Sequence, residues 1–507
     1  MHNKSLGRLH YLFLSTKGLI LMAAALLSLT AAIMSTLSGP MVSWGVRDIS
    51  VDLLNMDMLQ VEREGRLIML YHTIAMTVTA IIVYMITAIV PMEKSYAKWS
   101  NGIVTLGYLM ALFNGIGFAY FGHNFTLHGL YLYGLSLIYL TGTILAVALW
   151  PWNKKYYLEK DSKLFHTKNG FSFERFAFWV VIIAALVSAA IGAWSGSHYG
   201  NGFNTFLAED TVREPGKSLY KLAIIGHLHI MLALIGVLIT LIVGRWLDFK
   251  GIWHKLAIPS LVLGTLFLTL GSNSVMFTES AHTIVYVGAI FSMSGGLFLV
   301  IYGLHKITKD RLNELKAEGK TGFWKTTKAL LHDPLKFGAL WQMIFMNFTT
   351  SFVGIFMAMN LTDIFRGPLW NHREERIELV GHWHILATII GTMILFFYAD
   401  RVGLKGRSRQ VFGWSIIIGS NMAFTAITIF EMKRLFIMEY TQDTLINSLM
   451  IIADFGLATV LVALASFMVW RLVELIKPNG AWKQEVLEEN FIVTGTLKND
   501  PVNKGII

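Results

Sequence analysis

Twelve separate apolar runs, each long enough to cross a bilayer, constrain this chain more than any other feature. They fall at about 17–38, 67–91, 102–121, 129–150, 174–196, 220–244, 255–272, 282–303, 337–358, 378–399, 412–431 and 446–471. Roughly 20 apolar residues suffice to span the hydrocarbon core as a helix. Inside a membrane the backbone N–H and C=O groups must be satisfied within the segment, so runs of this length predict α-helices. The expected fold class is all-α, a polytopic membrane protein of about twelve transmembrane helices. The first run is too long, and lacks the small-residue cleavage site, to read as a removable signal peptide, and it is taken as helix 1. Charged residues make up only 15% of the chain, against about 25% in a soluble protein. Residues 1–472 read as one membrane domain and 473–507 as a polar tail.

Charge placement predicts the orientation, because Lys and Arg accumulate in cytoplasmic loops. The segment 151–175 has six basic and three acidic residues, 306–336 has eight and four, and 400–411 has four and one. Alternate connections lean the other way: 39–66 has three basic and five acidic residues, and 359–378 three and four. Even-numbered connections, the tail and both termini are therefore expected on the cytoplasmic side, most simply in a prokaryotic inner membrane. The net charge of +10 is then mostly cytoplasmic-loop Lys and Arg, and no nucleic-acid partner is needed to explain it. The chain has no cysteine. Disulfides, thiolate zinc sites, iron–sulfur clusters and covalent c-type haem attachment are thereby excluded. Any metal must be held by His, Met or carboxylate.

Ionisable side chains inside a membrane are costly and point first to function. Of sixteen histidines, His72 lies in helix 2, His227 and His229 in helix 6, and His382 and His384 in helix 10, while His282 opens helix 8. Positions 72, 227 and 382 are separated by 155 residues each time. Gly226-His-Leu-His-Ile and Gly381-His-Trp-His-Ile match, and an Ile-Gly follows each at the same offset. Helices 2, 6 and 10 hold equivalent places in three consecutive four-helix units, which predicts a pseudo-threefold arrangement. All four histidine-bearing helices enter from the outer side, so these residues are expected to share a level. Two residues apart on an α-helix is a rotation of about 200°. His382 and His384 therefore face opposite ways and serve different centres if they ligate at all. The alternative for any one of them is a hydrogen-bonded packing residue or a proton relay. His123, His128 and His198 fall in or beside outer loops and read as interfacial. His2, His10, His166, His254, His305 and His332 show no constellation on the other side.

This pattern resembles the catalytic subunit of the haem-copper oxidase superfamily. Gly65-Arg66-Leu67 followed by His72-Thr73, Gly381-His382-x-His384 and Phe291-Ser292 are similar to the C-type oxidase and nitric oxide reductase branch. The resemblance implies that His72 and His384 hold a low-spin, b-type haem and that His382 is the axial ligand of a second, high-spin haem. His227 and His282 would hold a distal metal, copper or non-haem iron, opposite that second haem. The sequence departs from the family in three places. Ala281 stands where a second adjacent histidine is expected, Met231 where a tyrosine or glutamate is expected four residues after His227, and His229 is additional, open to another cofactor or to a helix hydrogen bond. Glu279 could complete a His–His–Glu site, which suits iron better than copper, with Tyr286 as a nearby proton donor.

Three functions are consistent with these residues. In the first, electrons pass from the low-spin to the high-spin haem and reduce O2 or NO. In the second, an electron-transfer or quinol-interacting subunit keeps the haems and has lost the distal metal. In the third, a haem-free transporter uses the histidines as a proton path, although transporter sites usually sit near the bilayer centre. Neither a dinucleotide fingerprint nor a soluble electron-acceptor domain is present. Electrons would come from another membrane subunit, a cytochrome c-like protein or a quinol.

Overall fold

The computed structural model describes residues 7–38, 45–57, 63–122, 124–198, 219–278, 280–316, 322–360, 372–436 and 444–486. Twelve long helices carry the chain: α1 Thr16–Ser38, α2 Arg63–Ile89, α3 Lys94–Phe121, α4 Phe125–Ala148, α5 Phe173–His198 and α6 Leu219–Trp246. They continue as α7 Gly251–Ser274, α8 Ala281–Glu314, α9 Pro334–Met359, α10 His372–Arg401, α11 Gly406–Glu431 and α12 Thr444–Ile476. Among the described residues, strand pairing amounts to the isolated bridges Asp57–Phe121 and His166–Ser172. Among the described residues, eleven of the twelve helices are long and apolar enough to cross a membrane. The remaining helix, α10, is 30 residues long and begins His-Arg-Glu-Glu-Arg ahead of its apolar part. The protein is an all-α, multi-pass membrane protein.

Two boundaries differ from the sequence expectation. The apolar run of helix 8 was expected to end near 303, yet α8 continues to Glu314. Its polar extension is held by Lys306–Asp310 (3.0 Å) and Arg311–Glu314 (2.8 Å) pairs at helical spacing, which support a solvated helix modestly. The tail expected from 473 is helical through Ile476, and Glu485 folds back to make a bidentate pair with Arg471 (2.9 and 3.0 Å). The chain divides into two compact units. The first is 1–162, 166–238 and 262–288; the second is 163–165, 239–261 and 289–507.

The expected four-helix periodicity has a packing counterpart. Small residues let membrane helices approach closely, because association there depends on packing rather than on hydrophobic exclusion. In each set of four, the third and fourth helices meet through glycine. A methyl on Gly134 of α4 would lie 2.7 Å from Gly107 O of α3, and one on Gly456 of α12 2.5 Å from Gly419 O of α11. One on Gly288 of α8 would lie 2.6 Å from Leu268 N of α7. These separations are below any real carbon contact, so only glycine permits the crossings.

At the ends bearing the even-numbered connections, buried or half-buried arginines tie the helices. In the first unit Arg175 donates to Pro91 O (2.7 Å), Ala148 O (2.6 Å) and Trp150 O (3.4 Å), capping the carbonyl-rich ends of α2 and α4. Its guanidinium lies 3.9 Å from the centre of the Tyr156 ring. Burial raises the Tyr156 phenol above the usual tyrosine range, against the pull of Lys155 and Arg175. In the second unit Arg409 pairs with Asp333 (2.7 Å) and with Asp400 (2.6 Å), and Trp246 Nε1 donates to Asp400 (2.7 Å). One cation thereby joins the ends of α6, α9, α10 and α11.

Candidate functional site

Each of the three histidines in repeat positions lies a similar distance from the start of its own helix. His72 is nine residues past the start of α2, His227 eight past that of α6 and His382 ten past that of α10. At 1.5 Å per residue these are about 12–15 Å along each helix. His282 is instead the second residue of α8 and is exposed.

In the first unit α2 and α6 bring His72 and His227 together. Their ring centres are 6.5 Å apart and the planes differ by 12°. A metal bound by one nitrogen of each ring would set the centres about 6 Å apart, from two bonds of about 2 Å and about 1 Å between each nitrogen and its ring centre. The observed separation of 6.5 Å, between near-parallel rings, is slightly longer than that span. His227 Nδ1 lies 2.8 Å from Ser188 O and 3.3 Å from Ser188 Oγ, both on α5. A carbonyl only accepts, so Nδ1 carries the proton and Nε2 keeps the lone pair a metal would use. This is the outer-shell contact that orients ligating imidazoles. His229 points elsewhere, as the 200° rotation requires. It is exposed, its Nδ1 is satisfied by Ile225 O of its own helix (2.8 Å), and it lies within electrostatic range of His282.

Glycine positions these rings. A methyl on Gly192 of α5 would lie 2.6 Å from His227 Nδ1, and one on Gly354 of α9 2.7 Å from His382 Nε2. The glycine preceding each first histidine lets the following helix approach. Gly226 abuts Ser272 O of α7 (2.6 Å to an added methyl), and Gly381 abuts Glu431 Oε1 of α11 (3.3 Å). The Gly-His pair is thus held between two neighbouring helices in both copies of the motif. In α9 a π-helical stretch, Phe345–Thr350, precedes Gly354 by one turn. Such a stretch inserts a residue into the helical register, so it sets which face of α9 meets His382.

The side chain of His384 and the whole of Glu279 lie outside the described residues. Tyr286 is half-buried on α8, one turn beyond His282. Among the described residues no cluster of three or more His, Asp or Glu side chains has metal-binding spacing. His128, expected at the interface, is fully buried in the first turn of α4 with its ring 5.2 Å from that of Phe118. His254 is equally buried; its Nδ1 accepts from Phe165 N–H (3.0 Å), a structural role.

Sequence reading missed three kinds of residue here. Ser188 acts through its main-chain oxygen, which no side-chain identity encodes. Gly192 and Gly354 are two among 44 glycines, and only the 155-residue repeat could have directed attention to the helices preceding α6 and α10. Glu431, Lys433 and Arg434 are 1%, 1% and 7% exposed, although at the end of an apolar run they read as ordinary solvated polar residues. They stand at the end of α11, where Glu431 meets Gly381, the residue before His382. Comparison with protein-family models and with curated proteins finds no match for this chain.

Proposed function

We propose that this chain is a membrane haem protein that carries electrons to a gas-reducing centre, with His72, His227, His382 and His384 as its candidate metal-ligating imidazoles. The observation that carries the reading is the setting of His227, whose Nδ1 is committed to Ser188 O at 2.8 Å so that Nε2 keeps the lone pair a metal would use. The glycine-lined settings of His227 and His382 support it. They give two helices in equivalent repeat positions an imidazole packed against glycine of the preceding helix, which scattered packing histidines would not share. Haem held there would supply one-electron chemistry and, where an axial position stays open, gas binding. The protein's own part is to orient the imidazoles, to keep water from them with close-packed helices, and to hold charge at Glu431, Lys433 and Arg434 beside α10. The resemblance assigns His72 and His384 to a low-spin haem, His382 to a high-spin haem, and His227, His282 and Glu279 to a distal copper or iron. The substrate would be O2 or NO, and the donor a quinol, a cytochrome c-like protein or a partner subunit.

One observation favours a second reading. His227 packs against His72, whereas His282 opens α8 and lies nearer His229, so the proposed distal ligands do not surround one point in the described residues. On this reading the chain is an electron-transfer subunit without gas chemistry. Haem, copper and total iron per polypeptide of the purified protein test both. Two haems with one further copper or iron support the gas-reducing reading, and two haems without further metal support the electron-transfer one. A colourless protein overturns both and revives the proton-coupled transporter.

A further inference from the structure

Between the ends of α8 and α9 a short helix, Phe323–Leu330, lies at one end of the spans. With the polar extension of α8 it encloses a pocket of about 330 Å3 lined by Arg311, Leu315, Trp324, Lys325, Lys328, Ala329 and His332. That volume falls at the lower end of small-molecule sites, roughly 300–1,000 Å3. Its chemistry is divided. Lys325 and Lys328 are three apart on the short helix and so share a face, and Arg311 faces them from α8. Leu315, Trp324 and Ala329 supply an apolar wall. Arg311 has Nη1 engaged by Glu314 at 2.8 Å, with its remaining guanidinium nitrogens open among the described residues. His332 Nδ1 is committed to Ala329 O (2.7 Å), which leaves Nε2 for an outside group. Three cations thus face a single paired carboxylate.

Position selects the ligand. Phe323 and Trp324 are each 74% exposed, on a helix that joins two membrane spans. Exposed Trp at that level is characteristic of the membrane–water boundary. The surrounding segment 306–336 carries eight basic and four acidic residues, the excess that marks the leaflet rich in anionic lipid. We propose that this pocket binds the headgroup of an anionic phospholipid, with the phosphate on Arg311, Lys325 and Lys328 and the upper acyl chain along Leu315, Trp324 and Ala329. It is independent of the haem reading, since none of these residues belongs to the histidine set.

The test uses full-length protein in neutral detergent, titrated with dioleoyl phosphatidylglycerol and read by native mass spectrometry as lipid adducts per polypeptide. The variant Lys325→Gln/Lys328→Gln removes two exposed charges. Lys160→Gln/Lys168→Gln, which removes two exposed lysines from the α4–α5 connection, is the control for net charge. The expected result is a loss of at least threefold in the tightest phosphatidylglycerol adduct for the pocket variant alone, with dioleoyl phosphatidylcholine adducts unchanged. Equal losses in both variants, or no loss in either, would overturn the proposal. So would displacement of the adduct by low-millimolar inorganic phosphate, which would make the pocket a site for free anions rather than for lipid.

Discussion

The two ends of the helices are built on opposite rules. At the ends with even-numbered connections, buried and half-buried charges are matched with partners. Arg175 takes three carbonyls, Arg409 takes two carboxylates, and Arg471, 2% exposed, is paired in bidentate fashion with Glu485. Toward the other end, His227 and His382 are set against Gly192 and Gly354, and His227 is anchored by the main-chain oxygen of Ser188. The first arrangement consumes its polar groups in holding helices together. At His227 the second holds a ring in place by Nδ1 alone.

Substitutions can break or sharpen that contrast. The largest effect is expected at the imidazole end. His227→Ala should lower the copper or non-haem iron per polypeptide by at least one half in elemental analysis, while His229→Ala leaves it unchanged; equal loss from both would remove the distinction between the two faces of α6. His382→Ala should abolish CO binding by the reduced protein while the low-spin spectrum persists, and intact CO binding would refute that assignment. At the paired end, Arg471→Met leaves Glu485 buried without its partner. A loss of about 3–5 kcal/mol in unfolding free energy is expected, with haem content unaltered in the folded fraction. Gly354→Ala should cost about 1–3 kcal/mol through overpacking against His382. It should also shift the spectrum of the bound group, which a purely structural glycine would not do. Ser188→Ala is the smallest, below about 1 kcal/mol, because the 2.8 Å contact to His227 uses the main-chain oxygen and only the 3.3 Å hydroxyl contact is lost.

Particular residues show why some of this was legible in the sequence. Twelve apolar runs determine twelve helices, because a backbone in hydrocarbon has no other way to satisfy itself. The His-x-His motif determines opposed side chains, and the opposite settings of His227 and His229 follow from helix pitch alone. The 155-residue spacing determines similar positions along α2, α6 and α10. Local sequence could not say that Glu431, Lys433 and Arg434 are buried, that His128 lies beneath Phe118, or that α8 persists through Glu314. Burial depends on which distant helix arrives opposite a residue, and a polar helix extension depends on side-chain pairs one turn apart. The pairing of His227 with His72 was likewise decided by tertiary structure. It depends on α2, α5 and α6 meeting at one level, and that meeting is set by small residues such as Gly192 whose place in the packing only the folded chain reveals.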